Sequence, residues 1–350
     1  MARRRLYRLL AMLVLLGCAA LAAAGYGYWP VLHRKGLLAT AEQAARAGNL
    51  AMADEALKEL TREDPNNLRA QFLYAQVLRR QGRAEEADLH LGKAGDLGLP
   101  VEEGRRELGL LYAPLNFSLA DGALKSVLKS HPDDVEVLKA LAEGCARTHR
   151  WVEAEEYFAR WLVLQPDNLE LLLDRGELYV DIERYQAAES DFRRILQLSP
   201  GHYRARLLLS HCLLAEAHMT EAEPELQLCR QMRPESPDPL IGLAACAMER
   251  EDLEKAHTLL AQALALDRGS LRALNEIGTI QMYRRRYDLA IPLYERLLGL
   301  DKNHKQAHLK LAQCLRYVGR LDEAKVHQER YEELDAAEVR RQAAMRRQRY

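Results

Sequence analysis

Prolines recur at Pro132, Pro166, Pro200 and Pro234, each 34 residues after the last, within LKSHPDD, VLQPDN, QLSPGH and QMRPES. Two further steps of the same length reach Arg268 in LALDRGS and Lys302 in LGLDKNH, where the Leu-x-Leu-Asp approach survives without the proline. Upstream, Pro65 precedes Pro132 by 67 residues, which fits one repeat of 33 and one of 34. A period of this length excludes an ordinary globular topology, because one short repeat cannot bury its own apolar face and must stack on its neighbours.

Counting each repeat from the third residue after its proline, slot 8 holds Ala75, Ala142, Gly176, Ser210, Ala244, Gly278 and Ala312, all small. Slot 20 holds Ala53, Ala87, Ala120, Ala154, Ala188, Ala222, Ala256, Ala290 and Ala324, nine alanines in nine repeats. Slot 24, one helical turn on, carries Leu57, Leu91, Leu124, Phe158, Phe192, Leu226, Leu260 and Tyr294. Small residues at two slots let two helices approach closely, and the large one fills the space against the next repeat. Thr220-Glu221-Ala222-Glu223 reads as a capping box opening a second helix, and Pro224 and Pro292 fall early in second helices, where a missing backbone donor costs little.

On these slots the chain resembles the tetratricopeptide repeat family, a 34-residue helix-turn-helix unit with small residues at slots 8 and 20 and Pro at slot 32. The resemblance implies an all-α, right-handed α-solenoid of about nine repeats starting at Arg34, Leu68, Val101, Val135, Leu169, Tyr203, Pro237, Leu271 and Lys305. The third repeat departs most, with Leu108 at slot 8 and Pro114 interrupting RRELGLLYAPLNF, so a short or displaced first helix is expected there. Slot 4, where the family often has Trp, lacks aromatics, so local irregularity is expected. After Ala324 the last helix runs on without Gly or Pro, through a basic end at Arg340, Arg341, Arg346, Arg347 and Arg349.

The N-terminus is membrane-directed. Arg3, Arg4, Arg5 and Arg8 precede a charge-free run from Leu9 to Leu32. Residues 9–29 are long enough to cross a hydrocarbon core of roughly 30 Å as a transmembrane helix. Tyr26, Tyr28 and Trp29 fit an aromatic belt, and Pro30 is expected to end the helix. The arginines place the N-terminus in the cytoplasm and the remainder across a bacterial inner membrane, facing the periplasm. Cleavage after Ala22-Ala23-Ala24, giving a secreted protein, and lipid attachment at Cys18 as a lipoprotein are alternatives that use the same residues. The domain reading is therefore 1–33 basic tip and signal anchor, 34–338 solenoid, and 339–350 basic helical extension.

Fifty Lys plus Arg against fifty-one Asp plus Glu give no basic excess that would suit nucleic acid. No phosphate loop, metalloprotease helix, nucleophile elbow or Cys-x-x-Cys is present, so the expectation is a non-enzyme with no cofactor and no small-molecule substrate. Cys212, Cys246 and Cys314 share slot 10 and read as packing residues. His304 and His308 have helical spacing but no evident third ligand, so they read as two surface histidines rather than a metal site.

In the family, slots 2, 5, 9, 12 and 13 of the first helices face the concave groove. That phase gives a basic stretch at Arg69, Arg79 and Arg80, then an acidic one at Glu136, Glu143, Glu170, Glu177 and Asp181. An apolar trough follows, at Leu207, His211, Leu214, Ile241, Met248, Asn275, Met282, Tyr283, Leu309 and Tyr317, suited to a peptide or helix of another protein. Lys139 is followed by Glu143 where a carboxylate clamp would need Asn, so that branch of the family is not matched. The expected function is a membrane-anchored scaffold or adaptor in a bacterial envelope. The alternatives are a structural spacer or a noncatalytic subunit of a secretion, pilus or polysaccharide-export machine.

Overall fold

The computed structural model describes residues 29–347. Eighteen helices among them run as nine antiparallel pairs, in two compact units divided between Pro166 and Asp167. The first unit holds α1 (29–46), α2 (Leu50–Glu63), α3 (Leu68–Arg80), α4 (Ala84–Asp96), α5 (Val101–Tyr112), α6 (Phe117–Ser130), α7 (Val135–Arg147) and α8 (Trp151–Leu164). The second holds α9 (Leu169–Asp181), α10 (Tyr185–Leu198), α11 (Tyr203–Ala215), α12 (Met219–Met232) and α13 (Asp238–Glu249). It continues through α14 (Leu253–Leu266), α15 (Leu271–Tyr283), α16 (Tyr287–Leu300), α17 (Lys305–Tyr317) and α18 (Leu321–Arg347). Within each unit every helix packs on its sequence neighbours, which is the stacking that the period required.

The slot 20 alanines lie at the helix crossings, and all nine are no more than 2% exposed. Every second helix from α2 to α18 begins at slot 17, including Met219 of α12. This corrects the expected capping box, because Thr220 lies inside α12 and the cap position falls to His218, which makes no side-chain cap bond. The packing register, set by alanine one turn further on, overrides the local capping signal. Pro30 is the second described residue of α1, and the helix expected before it lies, apart from Trp29, outside the described residues. In the third repeat Leu108 is 42% exposed, and Gly109 supplies the small residue instead, since a Cβ there would lie 2.8 Å from Leu124.

Gly278 faces the ring of buried Tyr294, so an added Cβ would lie 2.6 Å from its Cζ. Gly→Ala inside a helix ordinarily gains about 1 kcal/mol; here the overlap reverses the sign, and Gly278→Ala is expected to cost about 1–3 kcal/mol. Combining it with Tyr294→Leu, the pairing that Ala244 and Leu260 already provide, is expected to recover most of the loss in a double-mutant cycle read by chemical denaturation.

The turn between paired helices places slot 15 in the left-handed region in every repeat but the third. Gly48, Gly82 and Gly319 occupy it at no steric cost, whereas His149, Glu183, Ala217, Glu251 and Arg285 hold φ near +60° with a Cβ. Glu251→Gly is expected to stabilise by about 0.5–1 kcal/mol, seen as a higher unfolding midpoint.

Slot 4 is regular, contrary to expectation: leucine fills it in five repeats, at Leu37, Leu138, Leu172, Leu240 and Leu274, and polar side chains bridge it in three others. Gln71 Nε2 donates to the Pro65 carbonyl at 2.7 Å, and its Oε1 accepts from His90 Nδ1 at 2.6 Å. Arg206 donates to the Pro200 carbonyl at 2.7 Å and pairs with Glu225. His308 Nε2 donates to the Lys302 carbonyl at 3.0 Å, leaving Nδ1 to accept from His327 Nδ1 at 2.9 Å. Each bridge ties the preceding turn to the partner helix, and His308 is buried rather than the surface residue expected.

Burial depresses the pKa of His90 and of His327, with Lys93 and His308 respectively adding to the effect. The unfolded chain then binds more protons than the folded one as pH falls below about 6.5, so this stability is complete above that pH and lost beneath it. The unfolding midpoint should drop by a few degrees, roughly 2–4 °C per kcal/mol, between pH 7.5 and 5.5. A smaller drop is expected in His327→Gln.

Candidate functional site

The sequence-predicted trough lies wholly in the second unit, and the structure breaks it into separate places. The larger pocket, about 730 Å³, lies between α15 and α17 and gathers Met282, Tyr283 and Tyr317 from the expected residues. Tyr283 is 70% exposed and Tyr317 68%, and the Tyr317 ring stacks on Tyr287 at 4.3 Å with 5° between planes. Thr279, Tyr287, Lys310, Gln313 and Arg316 complete the lining.

A smaller pocket of about 270 Å³ holds Leu207, His211 and Leu214, closed by Leu208, Leu226, Gly242, Asp238 and Arg272. The remaining expected residues fall elsewhere. Ile241 is 4% exposed and belongs to the core, because α13 is apolar on nearly every face. Met248 is half-buried, and Leu309 opens toward α18 beside Gln328 and Lys325. Asn275 works beneath the larger pocket, where its Oδ1 accepts from Lys310 Nζ at 3.1 Å.

Lys310 is the chemically distinctive group. Its ammonium also donates to Thr279 Oγ1 at 2.8 Å, and burial lowers its pKa. Both acceptors are neutral. Arg316 reaches only a neutral oxygen, Gln328 Oε1, at 2.6 Å. The lining therefore carries two cations and no carboxylate, between exposed aromatic rings. Thr279, Gln313 and Arg316 occupy inward slots but lie outside the expected trough set. Lys310 and Tyr287 stand at slots 6 and 17, outside the inward set, and no sequence signal marked them.

The charged stretches of the first unit are not open sites. Arg79 pairs with Glu107, which is 2% exposed, and Arg80 lies 3.4 Å from Glu136. Arg106 bonds Glu136 at 2.8 Å, and Arg69 bonds Glu42 at 3.0 Å. The expected basic patch is thus neutralised by carboxylates from neighbouring helices. The five described cysteines, Cys145, Cys212, Cys229, Cys246 and Cys314, are buried and free. Burial pushes the Cys145, Cys229 and Cys314 thiols up to about 11, away from thiolate chemistry.

The chain belongs to the tetratricopeptide repeat family: models of that description match residues 38–88, 110–168, 179–230, 215–275 and 275–337. Such folds are typically non-catalytic protein-interaction scaffolds. Among solved structures it is similar to the C-terminal part of a TPR repeat-containing protein from Cytophaga hutchinsonii, at 17% identity and TM-score 0.54, covering 68% of this chain and 98% of that one. Yeast Tom70 aligns at 16% identity and TM-score 0.46 over 88% of each chain. MamA from Desulfovibrio magneticus aligns at 20% identity and TM-score 0.44 over 49% of this chain and 96% of that one. The first of these shows a shared fold. No curated protein matches the chain in sequence.

Among the described residues no helix is long and apolar enough to cross a membrane. The expected span at 9–29 lies, apart from Trp29, outside the described residues, as do Cys18 and Arg349.

Proposed function

We propose that this protein is a membrane-anchored adaptor that binds a segment of another protein in the pocket between α15 and α17. The observation that carries this reading is the pair of exposed tyrosines, Tyr283 and Tyr317, set beside two cations that have no carboxylate partner. Rigid aromatic side chains give large contact area at little cost in conformational entropy and dominate interface hot spots. The polar groups around them fix the orientation of a bound chain. The uncharged run from Leu9 to Leu32 behind four arginines supports the anchor, with the repeats held on the periplasmic side of a bacterial inner membrane.

The test is a photo-crosslinking residue at position 283 in cells, with a second at Gln227, exposed on α12, as the comparison. Specific protein adducts at 283 alone are expected. Adducts at neither position, with the protein folded and in the membrane fraction, would make it a spacer. Recovery in the soluble fraction would remove the anchor and leave the binding reading standing.

A further inference from the structure

Away from the groove, three metal-ligating side chains converge where α10 meets the turn between α11 and α12. Glu189 on α10, Glu216 at the end of α11 and His218 before α12 each bring one ligand atom within 4.8 Å of the other two. An acidic turn alone would mean little, but Glu216 Oε2 is buried and has no hydrogen-bond partner. Leaving such an oxygen unpaired is costly, and more so for a charged group. His218 is unengaged as well. His202 and His304, which precede α11 and α17, each spend Nδ1 accepting a backbone N–H, whereas His218 makes no such bond.

The local charge agrees with this. Arg193 takes one oxygen of Glu189 at 2.7 Å and also reaches Glu221 at 2.8 Å, so it does not neutralise Glu216. Burial, with the Glu189 and Glu216 carboxylates adding to it, pushes the nearby Cys212 thiol up to about 12.

We propose that Glu189, Glu216 and His218 bind one divalent first-row transition-metal ion, with water completing four-coordination. Two carboxylates and one imidazole suit zinc, whereas magnesium and calcium favour all-oxygen sets. The ion would join the second helix of one repeat to the turn of the next. It would stabilise the folded unit by mass action, because the three ligands assemble only there. A second triplet, His33, Glu59 and Glu63, is accounted for by His33 lying 3.4 and 3.8 Å from the two carboxylates, and it serves as the internal control.

The experiment is calorimetric titration of the full chain, stripped with chelator and held in mild detergent, with Zn²⁺ and separately with Mg²⁺. One Zn²⁺ event is expected that weakens at least tenfold in both Glu216→Gln and His218→Ala, is unchanged in His33→Ala, and is not displaced by equimolar Mg²⁺. His218 is exposed, so its truncation leaves the core intact, and circular dichroism checks the fold of each variant. Absence of a Zn²⁺ event in the wild-type chain, affinities within twofold of wild type in both variants, or displacement by Mg²⁺ would overturn the site.

Discussion

Ala188→Trp is expected to unfold the start of the second unit, with a loss of at least about 3 kcal/mol, beyond the usual range for an overpacked core. Ala188 is fully buried on α10, where that helix crosses α9, and Phe192 one turn on already fills the space over Gly176, to 2.5 Å from where a Cβ would stand. An indole at 188 has no free volume to enter, and the direction of the Cα–Cβ bond aims it at the neighbouring helix. Because stability in a stacked array is a sum of repeat and interface contributions, the damage should spread to α11 and stop within the adjoining repeats. Circular dichroism and hydrogen exchange would show lost helix and lost protection over α9–α11. Ser190→Trp, on the exposed side of the same helix, is the comparison and should melt like wild type. Equal behaviour of the two variants would refute the assignment of slot 20 to the helix crossings.

Tyr283→Ala and Tyr317→Ala should each weaken partner binding by about 30-fold, the equivalent of roughly 2 kcal/mol for an aromatic hot spot, while leaving the fold intact. Both rings are mostly exposed, so their removal opens no cavity. Tyr317 also loses its stack on Tyr287, which orders the pocket wall, so its effect should be the larger of the two. Lys310→Met keeps the length of the side chain and removes the charge, and it should weaken binding only where the partner presents an anion to this pocket. The measurement is affinity for the cross-linked partner, with unfolding midpoints recorded alongside. A fall in midpoint matching the fall in affinity would return these residues to a packing role.

Much of the architecture is legible in the chain itself. The proline interval gives the starts of α3, α5, α7, α9, α11, α15 and α17 to the residue, and nine alanines in one slot mark the helix crossings. These features are readable because they repeat: a helix that stacks on a copy of its predecessor meets the same constraint every 34 residues, so the constraint appears as a column of one residue type. The inward slots, which the resemblance to the family implies, include Met282, Tyr283 and Tyr317.

What failed had no period. Gly109 replaces Leu108 at its crossing only because Leu124 lies opposite, and Thr220 loses the cap because α12 already begins at Met219. Arg79 reads as an open cation in the chain, but Glu107 and Glu136 meet it from other helices. Lys310 gained its pocket from Asn275 and Thr279, some 30 residues earlier in the chain. The sequence determined the helices, their pairing and the face that each one buries, since these follow from local propensity and a repeated packing rule. Only the tertiary structure decided which charges are neutralised, which apolar residues close over as core, as Ile241 does, and where a pocket stays open. Those outcomes depend on side chains from different repeats meeting in space, and a repeating pattern carries no record of its irregular members.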